Sequence, residues 1–334
     1  MHDYGLPTEV VRLVLALGII VSILIYERWR LTGGAAVVAG YLAMFVDRPV
    51  YLLTTALVSV MTFYLVQRFI SRRMFLYGRR RLVVMVLTGM VLQFLTGAVA
   101  YWFTSDWPWL VGLYGVGFVL PGLIAQDMER QGVRLTVLTV LACSFLTFVL
   151  FKDIAMMKDS LPIFWNSIAF EDKTILYSYH TQLLVPAVVV SVLLSAVLFE
   201  KRGMRSGGFL TAAYTGLFVL QPLHLVFILL SGVLVYYFVT HFLMRHTPIF
   251  GRTKFAMMVL TAVIFTWSLE IAAAQLTQNS FIPFAGFSVI SPMVAALIAN
   301  DSERQGLPRT LTGIVVCTLV VFAAVKALDL LLIG

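Results

Sequence analysis

Apolar residues gather in twelve runs separated by short polar segments. They lie at 8–26, 33–46, 50–70, 82–103, 111–125 and 135–151, and again at 181–199, 207–220, 223–243, 255–275, 282–299 and 310–331. Most reach or approach the ~18 apolar residues expected of a membrane-spanning helix. Runs two and five of each set are shorter. Fourteen helical residues rise only about 21 Å, against a hydrocarbon core of ~30 Å. These runs are expected to be short spans, broken helices or re-entrant loops. The pattern predicts an all-α polytopic membrane protein.

The two sets of runs are one unit written twice, and a repeat of this kind outranks any local reading. Shifting the chain by 173 residues pairs Glu27 with Glu200, Tyr41 with Tyr214, Phe45 with Phe218 and Pro49 with Pro222. The same shift pairs Gly78-Arg79 with Gly251-Arg252 and Thr88 with Thr261. After a one-residue slip, "LIAQDMERQG" (Leu123 to Gly132) meets "LIANDSERQG" (Leu297 to Gly306), and Cys143 meets Cys317. Shared hydrophobicity alone does not hold such a register. The expected domains are a first membrane repeat at 1–151, an outward-facing polar linker at 152–180 and a second repeat at 181–334.

Composition agrees with membrane residence. Of 334 residues, 60% are hydrophobic and 12% charged, where a soluble domain is nearer half and a quarter. The start carries Asp3 and Glu9 ahead of its apolar run, unlike the positive n-region of a secretory signal. Run one is therefore expected to be a retained span. Cys143 and Cys317 sit inside apolar runs and read as small buried hydrophobes.

Charge sets the expected topology. If all six runs of a repeat cross, the segments after runs one, three and five share one face. Those segments, with Arg68 at the end of run three, hold eighteen of the 24 basic residues, which makes that face cytoplasmic by the positive-inside rule. A re-entrant run two would instead place "SRRMFLYGRRR" on the far side, so six crossings per repeat is the better reading. Both termini and the linker then face outward, with Trp102, Trp107 and Trp109 near the outer interface. An even count makes the repeats parallel, related by a pseudo-two-fold along the membrane normal. A plasma (inner) membrane location follows for a multi-pass chain of this kind.

The doubled charged phrase supplies most candidate residues. Asp127, Arg130 and Gln131 share a helix face by their spacing of three and four, and Glu129 lies off it. Asp301, Glu303, Arg304 and Gln305 repeat the arrangement. A well-built helix end at the interface explains part of this; a docking or gating element, once per repeat, explains why it is doubled. Glu27 and Glu200 end run one, and each needs a partner from another loop, Arg79 or Arg252 being in register. Gly132 and Gly306 suit helix terminators, and Gly78 and Gly251 hold register with their arginines. The small-residue stretches "TGGAAVVAG" and "SGGFLTAA" are accounted for by close helix packing. Glu270, inside run four of the second repeat, is an intramembrane acid with no counterpart near Thr96 or Gly97, a functional candidate by its position alone.

Conventional chemistry is missing from the sequence. The five histidines form no ligand cluster, and neither a phosphate-cradling glycine loop nor a nucleophile elbow occurs. No bound metal or cofactor is expected, no catalysis by the chain alone, and no nucleic-acid partner.

The ordered motifs resemble the membrane subunit of poly-γ-glutamate synthases, the PgsC/CapC family. They stand at Glu27-Arg28, Gly40-Tyr41-Leu42-Ala43, Pro49, Tyr77-Gly78-Arg79-Arg80 and Leu123-Ile124-Ala125 with Arg130-Gln131-Gly132. The second repeat matches at Glu200, Tyr214, Pro222, Gly251-Arg252, and Leu297-Ile298-Ala299 with Arg304-Gln305-Gly306. Members of the family are about one repeat long, so this chain resembles a fused pair. The resemblance implies a cytoplasmic amide ligase as partner, with ATP bound there rather than here. It further implies a surface-side accessory subunit, an anionic polymer carried outward, and leaves a homo-oligomer open. The competing classes are a stand-alone secondary transporter and a non-transporting membrane scaffold for a ligase.

The topology is directly testable. Reporter tags inserted at Gly78 and Gly251 are expected to read as cytoplasmic in intact cells; exterior signals at both positions would reverse the orientation.

Overall fold

The computed structural model describes residues 8–73, 78–103, 115–156, 177–180, 183–278, 281, 283–284 and 289–332. Among them all regular structure is helical. In the first half the helices are α1 (Thr8–Trp29), α2 (Ala35–Ala43), α3 (Pro49–Leu65), α4 (Gly78–Phe103), α5 (Leu120–Gln131) and α6 (Val133–Met156). The second half repeats the order with α7 (Leu184–Arg202), α8 (Thr211–Leu217), α9 (Pro222–Tyr237), α10 (Gly251–Leu276), α11 (Ile290–Gln305) and α12 (Leu307–Leu332). Helices α3 and α9 each continue into a π-helical turn, Val66–Ile70 and Phe238–Leu243. A bilayer offers the backbone no water, so helices that satisfy their own hydrogen bonds are what these apolar runs can form.

Among the described residues, eight helical segments are long and apolar enough to cross a membrane. They are α1, α3, α4 and α6, and α7, α9, α10 and α12, with α3 and α9 counted through their π turns. The protein is an all-helical polytopic membrane protein. Runs two and five are the exceptions. α2 has 9 residues and α8 has 7, so at 1.5 Å per residue neither exceeds about 14 Å. α5 and α11, with 12 and 16 residues, also stop short of ~30 Å. Most of the expected linker, at 157–176, lies outside the described residues, as do Trp107 and Trp109.

Contacts divide the chain into two compact units, Leu13–Ser160, and Met1–Arg12 with Leu161–Gly334. Each packs its short helices in the same way. In the first, α5 lies against α3 and α4, and α2 against α6. In the second, α11 lies against α9 and α10, and α8 against α7 and α12. All seven residues of α8 are buried, and so is most of α2. Large apolar side chains on the long helices stay exposed instead, among them Leu53, Leu57 and Phe94 in the first unit and Leu223, Val226 and Ile264 in the second. Irregular backbone at membrane depth is tolerated only where protein covers it. The long helices supply that cover, leaving their outer faces for lipid.

Prolines and small residues set where helices stop and how closely they meet. Pro49 and Pro222 open α3 and α9 at the first turn, where the missing N–H has no partner to lose. Each follows a tight turn closed by the same bonds, Arg48 N–H to Phe45 C=O and Gln221 N–H to Phe218 C=O, both at 2.9 Å. In the first unit the α1 backbone meets α2 at Gly18 and Gly40, and α4 meets α5 at Gly89 and Gly122. A Cβ on Gly122 would fall 2.5 Å from the Val86 Cα.

Helix separation is therefore fixed by those glycines. Gly122→Val is expected to lower stability by about 1–3 kcal/mol or more through overpacking. Thermal unfolding of the purified protein measures it, and an unchanged midpoint would show that α4 and α5 can separate freely.

Candidate functional site

The doubled phrase ends α5 and α11, and its residues divide their work. Asp127 is 3% exposed and its Oδ2 accepts the backbone N–H groups of Gly34 and Ala35, both at 3.1 Å. Four residues on, Gln131 reaches the same loop. Its Oε1 accepts the Thr32 N–H at 2.9 Å, and its Nε2 donates to the Thr32 carbonyl at 2.7 Å. Asp and Gln on one helix face thus clamp the segment between α1 and α2.

The second unit repeats the clamp with the same atoms. Asp301 Oδ2 accepts the Gly208 N–H at 2.9 Å, and Gln305 exchanges two 2.8 Å bonds with the Arg205 backbone. Arg205 adds a side-chain contact, Nη1 to Asp301 Oδ1 at 3.4 Å. Its counterpart in the first unit is Thr32, so this ion pair belongs to the second copy alone.

Backbone conformation explains why the loop can present itself this way. Gly34 and Ala35 both have positive φ, 75° and 61°, and Gly207 and Gly208 have 71° and 90°. In the first unit this turns two successive N–H groups toward one carboxylate, an arrangement that attracts anions. The start of α2 reinforces it through the helix dipole. Close packing contributes as well: a Cβ on Gly34 would lie 3.0 Å from Ile124 Cγ1, and one on Gly208 would lie 2.8 Å from Leu297 Cδ1. The "LI" of the phrase therefore packs on the glycines whose neighbouring amides its Asp receives. The small-residue stretches do more than allow close approach; they are the clamp's other jaw.

Glu129 turns to a different helix. Its Oε1 pairs with Arg81 Nη1 of α4 at 2.6 Å, and Glu303 pairs with Lys254 Nζ of α10 at 2.7 Å. Arg81 and Lys254 are themselves in register across the duplication. Both pairs are partly exposed. Arg130 and Arg304 are exposed on the last turns of their helices. Gly132 and Gly306 follow with φ of 83° and 89° and then join α6 and α12 directly. Their carbonyls accept Thr136 and Thr310, through backbone and hydroxyl alike.

The remaining candidates lie at helix ends. Glu27 and Glu200 are exposed at the ends of α1 and α7, and Arg252 is half-buried in the first turn of α10. Arg79 lies in the first turn of α4, its side chain outside the described residues. Gly78 and Gly251 open their helices with φ of 55° and 62°. No group of three or more His, Cys, Asp or Glu able to hold a metal occurs among the described residues.

Glu270 is not isolated. It is 1% exposed and accepts a hydrogen bond from Arg12 Nη2, itself 2% exposed. Arg12 stands just ahead of the repeated register, and spacing gives no sign that it meets a residue 258 positions away. Tyr214 lies within the electrostatic reach of both, and its hydroxyl is 2.7 Å from Ser291 Oγ. Removing one member of a buried ion pair typically costs about 3–5 kcal/mol.

Comparison with known proteins places this geometry in a family context. The family model for capsule biosynthesis CapC matches the chain twice, over residues 17–137 and 190–311. The chain is 34% identical to the capsule biosynthesis protein CapC of Bacillus anthracis over 142 residues, 41% of this chain and 91% of that protein. It is also 34% identical to the PGA biosynthesis protein CapC of Bacillus subtilis (strain 168) over 140 residues, 41% of this chain and 91% of that protein. No solved structure matches.

The clamp and the outer ion pair differ in expected weight. Asp127→Ala or Asp301→Ala leaves buried N–H groups unanswered and is expected to cost about 1–3 kcal/mol per orphaned group. Glu129→Gln or Glu303→Gln breaks only a partly exposed pair and is expected to cost about 0–1 kcal/mol. Thermal unfolding of the four variants tests this; equal losses would remove the distinction.

Proposed function

The chain belongs to the capsule biosynthesis CapC family, and from that premise we propose that it is the membrane subunit of a poly-γ-glutamate synthesis and export complex. The observation that carries the proposal is the double family match, each copy containing one complete clamp. A chain with two copies does in one polypeptide what two family-length subunits would do. We read it as two parallel repeats of six membrane segments, the arginine-rich ends cytoplasmic and both termini outside, in the plasma membrane. The short helices then count as crossings completed by the loops beside them.

The working partner in this reading is a cytoplasmic amide ligase that uses ATP to activate a carboxylate and couple glutamate units. The chain itself supplies no phosphate-binding loop. What it offers is a cytoplasmic face bearing eighteen basic residues, which draws an anionic chain or an acidic partner toward the membrane. The phrase fixes where that attraction is most organised. Its Asp and Gln are spent on the clamp and its Glu on a neighbouring helix. Arg130 and Arg304 are left facing outward at a rigid helix end, once per unit. We assign them to contact with ligase or polymer, alongside Arg79, Arg252, Glu27 and Glu200.

Passage outward is the harder physical step. A carboxylate near the bilayer centre costs ~2.5–3.5 kcal/mol without a wet path, and a polymer presents one per residue. A surface-side accessory subunit and further copies of the chain are the proposed means of completing that path. A second reading, the stand-alone secondary transporter, draws on the buried Arg12–Glu270 pair, since an intramembrane carboxylate marks ion or substrate pathways in such proteins. Movement of substrate by the purified protein without any ligase would favour it.

Arg130→Glu with Arg304→Glu is expected to abolish surface polymer while membrane abundance stays at the wild-type level. Polymer staining and quantitative blotting of the same cells check both. Undiminished polymer would remove these residues from the assignment.

A further inference from the structure

One buried polar cluster of the second unit is left unexplained by the duplication. Arg12, Tyr214, Glu270 and Ser291 come from α1, α8, α10 and α11. Arg12 is hydrogen-bonded to Glu270, and Tyr214 to Ser291 at 2.7 Å. All four are at most 3% exposed. In the first repeat Tyr41 keeps the place of Tyr214, but Gly97 and Gly117 stand where Glu270 and Ser291 would be. The same helix order forms in the first repeat, with α5 starting at Leu120, after Gly117, while α11 includes Ser291.

Burying a charge pair among apolar helices is costly, and uncharged residues of similar volume pack as well or better. Because Gly97 and Gly117 match Glu270 and Ser291, the scaffold shared by the two copies does not call for these side chains; a ligand would. The chemistry narrows the ligand. A guanidinium is a planar fork matched to carboxylates, and the group it now holds is the side chain of a glutamate. The two hydroxyls beside it can each donate and accept, which suits an amide. Next to Tyr214, the rings of Phe218, His224 and Phe281 follow one another at centroid distances of 5.3, 5.2 and 4.8 Å. They supply apolar surface beside the cluster.

We propose that this cluster is a carboxylate-exchange site, in which Arg12 takes a carboxylate of a γ-glutamyl chain in place of Glu270 while Tyr214 and Ser291 receive the adjoining amide. The site rests on the polymer reading above and deepens it. Glu270 is the resident carboxylate that keeps Arg12 neutralised when no chain is present. Each γ-linked residue carries one carboxylate and one amide, the two kinds of group that a guanidinium and a pair of hydroxyls bind.

Binding of a short γ-linked glutamate oligomer to the purified full-length protein tests it by titration calorimetry. Glu270→Gln removes the internal competitor and is expected to tighten binding by about tenfold, the scale of one charge-assisted bond. Arg12→Gln with Glu270→Gln removes both charges together, which spares the fold an unpaired ion, and is expected to weaken binding by about tenfold or more relative to wild type. Wild-type affinity in that double variant would overturn the site. So would equal affinity for the oligomer and for free glutamate, since the hydroxyl pair then reads no amide. Oligomer binding lost in Arg130→Gln with Arg304→Gln but kept in the Arg12/Glu270 double variant would place the chain at the arginine-rich ends. That result sinks the exchange site and leaves the export reading standing.

Discussion

A buried peptide N–H needs an acceptor, and within each unit a single carboxylate meets that need where the short helix begins. Helices α2 and α8 begin inside the protein. Asp127 and Asp301 receive the orphaned amides there, and Gln131 and Gln305 hold the loop backbone one turn further on. Without that two-point grip the short helices would start with unanswered donors in an apolar medium. The glycines of the loop, the "LI" that packs on them and the buried position of α2 and α8 all follow from it.

The charged phrase thus resolves into parts of different rank. Its buried half maintains the fold, its Glu braces α5 against α4 and α11 against α10, and its arginine is carried at the surface. Members of one short motif can be equally repeated and still differ in what they do. Repetition marks Asp127 and Arg130 alike; burial separates them.

Much of this was legible before any coordinates. The run lengths mark the four short helices, the prolines mark where α3 and α9 begin, and the i, i+4 spacing puts Asp127 and Gln131 on one face. What spacing cannot show is the object that a face meets. The Thr32–Ala35 loop lies more than ninety residues from its clamp, and small residues there look like packing until their positive φ is known. Glu129 is set off the shared face by position, yet nothing in the sequence names Arg81. Arg12 is the clearest omission: it precedes the repeated register, so the comparison of halves that singled out the doubled residues passes over it. Asymmetry carries information of its own, since a buried acid matched by glycine in the other copy, as Glu270 is by Gly97, is not demanded by the common scaffold.

The long reach of the clamp has a consequence for biosynthesis. Thr32 and Gln131 are 99 residues apart, so while the ribosome is still making α3 and α4 the loop ahead of α2 has no carboxylate to receive it. Until α5 has been delivered to the membrane, that segment must linger in a wet or chaperoned site at the insertion machinery. Each unit therefore closes late, on the arrival of its fifth helix.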